Sequence, residues 1–430
     1  MSISPAVSSA QALPAANPVI RWTEAGQPRL ARWRSERGAA PPRRVVLADD
    51  TLSADAAYKL ACEGTALLWR GDFQNARQMV QALARRIDKP PKASKLARVK
   101  LKKDAADAAS GVPAGQAFHL HRQAQSQRAR VLGMVLIEFG ADYGIALRRA
   151  PDAKQACTEA WGPVAAAAAA AAADVDATAD AAAGASVASL RELLGVISAH
   201  EWRKKGVEIP ALGKAPNNRI HPHYGVFSPV RGEYVDLVAN APLPACPTGK
   251  FVAFDIGTGT GVLSAVLALR AEVDQVVATD MDPRALDCAR ENILRLRLPN
   301  PVKVMQADLF PPEGLASVIV CNPPWLPARP SSPLEGAVYD EGSRMLLGFL
   351  NGLAAHLAPA GEGWLILSNF AEQLGLRSRA ELLAAIQAAG LKVLGRIDAK
   401  PEHPKAADAS NPLHQARAAE VTSLWRLGAV

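Results

Sequence analysis

The 430-residue chain is 49% hydrophobic and 21% charged, which excludes a disordered or collagen-like protein and leaves length for about two or three domains. Its formal charge of +8 suits a polyanionic partner. Cys62, Cys157, Cys246, Cys288 and Cys321 form no CxxC pair, which argues against a disulfide scaffold or zinc ribbon and for a reducing compartment.

Met1 to Asn17 lack a basic start and a continuous apolar core, so no secretory signal is expected, and the protein should be soluble and cytoplasmic. Residues 1–43, rich in Ala, Pro and Ser, read as a disordered leader. Residues 44–162 read as a smaller, mostly helical N-terminal domain: apolar residues recur at three- and four-residue spacing from Ala56 to Leu68, Phe73 to Leu83 and Gln123 to Leu136, followed by Arg148 to Ala160. Within it, Arg85–Lys103 carries nine basic residues against one acid, Asp88. That density is a candidate surface for nucleic-acid contact, with a solvated loop around Pro90-Pro91 as the alternative. Residues 163–187, with nine consecutive alanines from Ala165 to Ala173, read as an Ala-rich linker, helical or loose.

Ser189–Glu208 has a helical pattern. From Lys250 onward, strand-length apolar runs alternate with amphipathic helices. The runs are Phe251–Ile256, Gln275–Thr279, Val302–Gln306, Ala316–Cys321, Gly363–Ser368, Leu391–Arg396 and Ser423–Leu427. The alternation predicts an α/β fold with a Rossmann-like, doubly wound seven-stranded sheet. The last two runs lack a helical pattern between them and fit an antiparallel edge pair. Ligands of such sheets bind beyond the carboxyl ends of the strands.

Two signatures lie there. The first is Asp255-Ile256-Gly257-Thr258-Gly259-Thr260-Gly261, a strand entering a turn whose glycines admit a ligand close to the backbone. A nicotinamide fingerprint would need glycine at Val262, and no Walker lysine follows, so the spacing suits another nucleoside cofactor. Asp280 ends the second strand, where a carboxylate accepts from both ribose hydroxyls. Asp308 follows the third, where it can accept from an adenine amino group; for Asp255, Asp280 and Asp308 alike, a strand-end cap in solvent is the alternative. Asp282 caps the next helix, with Pro283 in its first turn and Leu286, Ala289, Ile293 and Leu296 as its buried stripe.

The second signature is Asn322-Pro323-Pro324-Trp325. An amide or exocyclic amine nitrogen is a poor nucleophile because its lone pair is delocalised. The Asn322 side-chain oxygen and the Pro323 carbonyl supply two acceptors for its N–H groups, aimed where positive charge develops. Paired prolines pre-position them, and Trp325 offers a flat face for a planar base or amide. His119/His121 and His221/His223 have the spacing of two metal ligands without a third, so no metal is expected. Tyr339 to Arg344 carries acids that either bind a peptide amine or cap the next helix.

Phe251 to about Leu367 resembles the class I S-adenosylmethionine-dependent methyltransferases. More narrowly, it is similar to the HemK-type glutamine methyltransferases and to amino-methylating relatives with an NPP(Y/F/W) motif. The residues that carry this are the two signatures with Ala278 to Leu286, Ala289-Arg290-Glu291-Asn292 and Ala307-Asp308-Leu309-Phe310. More loosely, Phe227 to Tyr234 fits the Pro- and Glu-containing stretch that precedes the first motif in that family. The family usually has tyrosine at the position of Trp325. The resemblance implies S-adenosyl-L-methionine as cofactor and residues 188–430 as the methyltransferase domain. It also implies that Gly257, Gly259 and Gly261 line the methionine part of the cofactor, Asp280 the ribose and Asp308 the adenine. Asp255, Thr258 and Leu309 complete the candidate cofactor set. Asn322, Pro323, Pro324 and Trp325 are the candidate catalytic residues. The expected activity is methyl transfer to a planar nitrogen of a macromolecule, with a protein glutamine of a translation factor or ribosomal protein first. An exocyclic base amine of rRNA or another nucleic acid is the alternative, and a non-catalytic RNA- or protein-binding factor is a third reading.

Overall fold

In the computed structural model the described residues are 18–88, 114–163, 184–247, 249–330, 334–400 and 413–430. The chain divides into two compact units, Met1–Lys89 with Ala129–Leu194 and Pro90–Arg128 with Gly195–Val430. Among the described residues no helix is long and apolar enough to cross a membrane.

The first unit is built on a six-stranded mixed sheet. In chain order its elements are β1 (Val19–Glu24), β2 (Gln27–Arg34), β3 (Arg44–Ala48), α1 (Ala54–Cys62), β4 (Thr65–Trp69) and α2 (Phe73–Ile87). After α3 (Ala114–Leu132), considered below, come β5 (Val135–Phe139), α4 (Lys154–Trp161) and β6 (Ser186–Ser189). The strand order is β1-β2-β6-β5-β4-β3. The mostly helical reading of 44–162 has its helices but did not foresee the sheet they accompany. Thr65–Trp69 is buried at every position, and Val135–Phe139 at all but one. Short, largely apolar runs that closely follow a helix carry no clear period of their own to separate strand from helix.

The leader reading of 1–43 fails for its described part. β1 and β2 form a hairpin in register from Val19↔Arg32 to Glu24↔Gln27. Its two-residue turn, Ala25-Gly26, has positive φ at both positions (50° and 77°), the primed geometry that matches strand twist. Ile20, Trp22, Ala31 and Trp33 pack with Leu68, Leu136 and Val187 in one core. Val187, expected in the linker, therefore lies in a central strand. The remainder of the Ala-rich segment, 164–183, and the basic cluster from Lys89 to Lys103 lie outside the described residues.

The second unit holds α5 (Leu190–Lys205), which is shared with the first up to Leu194, then β7 (Val207–Glu208), β8 (Arg219–Ile220) and α6 (Glu233–Asn240). The succession β9 (Val252–Ile256), α7 (Val262–Ala268), β10 (Gln275–Asp280), α8 (Pro283–Leu296), β11 (Val302–Gln306) and β12 (Ala316–Cys321) follows. Then come α9 (Arg344–His356), β13 (Leu357–Ser368), α10 (Phe370–Gln373), α11 (Arg379–Ala388), β14 (Leu391–Ala399), α12 (His414–Ala418) and β15 (Thr422–Ala429). All seven expected strands form one sheet of order β11-β10-β9-β12-β13-β15-β14. It is parallel except for β15, which runs antiparallel to both neighbours and makes the expected edge pair with β14. Two apolar clusters fill the space on either side: Val266, Val276, Val318 and Trp364 in one, Phe254, Ile319, Phe349 and Leu365 in the other.

A departure with functional weight is α3. Up to Arg128 it belongs to the second unit. Its Phe118 is buried with Leu326, Phe370, Leu374 and Leu413, and its Arg122 stacks 4.0 Å over the Tyr339 ring. Trp33→Ala should destabilise the first unit by about 3–5 kcal/mol, since it removes a buried indole from a small core. Urea unfolding checks this, and an unchanged midpoint would return the hairpin to the status of a leader.

Candidate active site

The Gly-rich turn is shaped from inside the fold. Asp255, near the end of β9, is only 1% exposed. Its Oδ2 accepts from Thr258 Oγ1 (2.7 Å), Ser264 Oγ (2.6 Å) and the Ser264 amide (2.9 Å). Burial pushes the Asp255 carboxyl above the usual carboxylate range, against these hydrogen bonds, and the nearby Asp280 adds to the rise. Asp255 and Thr258, expected to touch the cofactor, instead spend their side chains holding the turn against the start of α7. The amides of Gly257 and Thr258 both donate to Thr279 O at 2.9 Å, and the Gly259 amide donates to Asp280 Oδ2 at 3.0 Å.

Gly257, Gly259 and Gly261 all have positive φ, at 71°, 55° and 80°. Their surroundings differ. A side chain on Gly259 would meet nothing within 4 Å, so this part of the turn opens onto free space. One on Gly261 would lie 3.2 Å from Ala289 Cα in α8, so this glycine serves helix packing. One on Gly257 would strike the Met345 methyl at 2.4 Å, which places the movable end of Met345 over the turn.

Asp280 is half-buried at the end of β10, with Oδ1 accepting from the Asp282 amide at 3.0 Å. Burial raises its pKa, opposed by the Asp282 and Gly259 amides. Asp308, beyond β11, is exposed and lies 3.8 Å from Arg344. Leu309 next to it has φ 72°, a strained value for leucine, and its carbonyl accepts from Thr279 Oγ1. The cofactor-side residues thus gather at the ends of three adjacent strands.

The acceptor side follows β12. Cys321 pairs with Ile256, so Asn322 and Gly257 leave neighbouring parallel strands side by side. The Trp325 indole N–H donates to Asn322 Oδ1 at 2.9 Å. Trp325 is partly buried against both core clusters, and the Arg231 guanidinium carbon sits 5.1 Å from its ring centre. Trp325 is therefore not the free stacking platform expected of it; one of its faces is covered by Arg231 and its N–H edge is engaged. Asp340 caps α9, Oδ2 accepting from the amides of Met345 (2.8 Å) and Leu346 (3.3 Å), which resolves the two readings of its loop towards the cap.

The His221/His223 pair has other partners. His221 Nδ1 lies 2.7 Å from Arg203 O, and His223 Nε2 lies 2.9 Å from Glu291. Asn292, buried in α8, grips the His221 segment and Thr260 O, a role that the expected apolar stripe did not include. Sequence reasoning also missed Met345 over the turn and the buried Glu420. Met345 belongs to a helix and Glu420 stands in no motif, so neither gave a signal.

These features are those of a doubly wound nucleoside-cofactor unit with an amide-acceptor strand end. Residues 217–374 match the family described as methyltransferase small domain. The chain is 35% identical over 123 residues to the release factor glutamine methyltransferase of Moorella thermoacetica, covering 28% of this chain and 44% of that one. It is 34% identical over 157 residues to the Deinococcus radiodurans release factor glutamine methyltransferase, covering 34% and 52%. Against the ribosomal protein uL3 glutamine methyltransferase of Bordetella pertussis it is 32% identical over 117 residues, covering 26% and 39%. The chain thus spans about half or less of each of these relatives, and the part that matches has the class I methyltransferase arrangement resembling the HemK type.

Gly261→Ala should cost about 1–3 kcal/mol, because it adds a methyl group at positive φ against the α8 backbone. Thermal or urea unfolding measures it; an unchanged stability would mean that α8 does not rest on the turn.

Proposed function

We propose that this protein transfers a methyl group from S-adenosylmethionine to the side-chain nitrogen of a protein glutamine in the translation apparatus. The observation that carries the reading is the pairing of β9 with β12, which sets the open Gly259 turn beside the Asn322 acceptor. Relatives named as glutamine methyltransferases of release factors and of ribosomal protein uL3 support the substrate class.

The residues present fit the cofactor. The turn at Gly259 has room for a ligand, and Asp280 is held by two backbone amides in the position to accept from ribose hydroxyls. Asp308, exposed at the next strand end, is the group for the adenine amine. When bound, S-adenosylmethionine supplies an electrophilic methyl group. The protein's part is to hold the acceptor: Asn322 Oδ1, with one lone pair used by Trp325, keeps a second for an acceptor N–H. The Pro323 carbonyl supplies the other acceptor, and both favour the positive charge that grows on nitrogen. The paired prolines fix this geometry before the acceptor arrives. The proton leaves after transfer, so no side chain of shifted pKa is required.

The direct test is radiolabelled methyl transfer into a lysate of a strain lacking this protein, fractionated into RNA, protein and small molecules. Label should appear in protein and be released by protease. Asn322→Ala should lower its rate by about 10²-fold or more with cofactor affinity unchanged. Label removed by nuclease and spared by protease would replace the glutamine with a base amine, and an unaltered rate in the variant would remove Asn322 from catalysis.

Cofactor affinity should also depend on pH through Asp280. Its raised pKa means that protonation, which abolishes acceptance from ribose hydroxyls, begins on acidification at a pH above the ordinary value of 3.8. Affinity is full above that raised pKa and falls as pH drops through it. Calorimetry from about pH 8 down to about pH 4 should show this fall in the wild type. Asp280→Asn should bind weakly with little slope, and parallel curves for the two would place the ribose elsewhere.

A further inference from the structure

Arg231 lies in the segment before α6, outside both signatures. Its Nε donates to Glu233 Oε1 at 2.6 Å and its Nη1 to Glu420 Oε1 at 3.1 Å. Both carboxylates are well buried, their side chains 9% and 4% exposed. Glu420 is itself tied to the end of β13, its Oε1 accepting from Ser368 Oγ at 2.8 Å, while Ser368 Oγ accepts from the Phe370 amide at 3.0 Å. The remaining Nη2 of Arg231 is buried without a partner. Leaving a guanidinium donor unpaired costs free energy, so stability alone does not account for an arginine here.

The same guanidinium lies 5.1 Å from the Trp325 ring centre, and the Trp325 N–H donates to Asn322 Oδ1. Asparagine's amide presents an oxygen at one end and an NH₂ at the other, and only the oxygen serves an acceptor N–H. The indole N–H, a donor with no acceptor capacity, selects the oxygen. A fixed indole therefore fixes the working rotamer of Asn322, and a guanidinium held by two carboxylates fixes the indole.

We infer that Arg231 is a positioning residue for methyl transfer. With Glu233 and Glu420 it clamps Trp325, which in turn orients the Asn322 amide towards the acceptor nitrogen. The inference rests on the methyltransferase reading above. Arginine's planar fork bonds both carboxylates while its face covers the ring; lysine, a point charge, does not do both.

The experiment compares wild type, Arg231→Ala, Arg231→Lys, Trp325→Phe and the double variant Arg231→Ala/Trp325→Phe in the full chain. It uses S-adenosylmethionine calorimetry, near-ultraviolet circular dichroism and labelled-methyl transfer to the lysate fraction that the wild type labels. Arg231→Ala and Arg231→Lys should lower the transfer rate by about 10- to 100-fold at saturating cofactor, with cofactor affinity unchanged. Near-ultraviolet dichroism in Arg231→Ala should lose the contribution that Trp325→Phe also loses. On the Trp325→Phe background, removing Arg231 should have little further effect, because the two act in one chain of contacts. Wild-type rate or wild-type dichroism in Arg231→Ala would overturn the inference, as would effects that simply add in the double variant. No transfer by the wild type itself would instead overturn the methyltransferase reading, and the dichroism would still report on the clamp.

Discussion

The Asp255 carboxylate has no access to water, and much of the second unit depends on how its desolvation is offset. A buried acid requires donors, and the chain provides them from two directions: Thr258 in the turn and Ser264 in the helix after it. Meeting that requirement draws α7 onto the end of β9 and forces the intervening residues into the tight path that only glycines follow at low cost. Once the turn is fixed, the Gly259 amide points at Asp280, and the ends of β9 and β10 are locked to each other. The open surface of the turn is thus a by-product of satisfying a charge on its hidden side.

The two halves of the site are rigid for different reasons. On the cofactor side the backbone does most of the holding, with strand-end amides bonded across to Thr279 and Asp280. On the acceptor side, side chains hold other side chains. Trp325 lies between Asn322 and Arg231, and α3 braces the loop beyond them through Phe118 and Arg122.

What could be seen in the sequence follows the same division. The seven-stranded sheet was legible because each of its strands is separated from the next by an amphipathic helix or a turn, so the change of period shows. The six-stranded sheet was not, because β4 and β5 are short, almost wholly buried runs with only two residues between each and the helix before it. In β2 the buried Arg34 and the partly covered Arg29 and Arg32 disguise a strand as a polar leader. At the site, Gly257, Gly259, Asp280 and Asn322 could be placed because spacing alone puts them at strand ends. The partners of Asp255, Thr258 and Trp325 were not legible: Asp255 bonds Thr258 and Ser264, and Trp325 bonds Asn322. Residue type tells which bonds a side chain can make, and only packing tells which way it faces.

The strand order carries a consequence for synthesis. β15 follows β14 in the chain yet lies between β13 and β14 in the sheet. Until β15 has left the ribosome, β14 has no neighbour to pair with and β13 presents an unsatisfied row of backbone groups on one side. The unit also draws in α3 residues made some two hundred residues earlier, by chain position at Phe118 against Leu326. Closure therefore joins portions of the unit that lie far apart in the chain, and such non-local contacts slow folding. The exposed edge during that interval is the point at which a nascent chain of this kind is most open to mispairing and to chaperone capture.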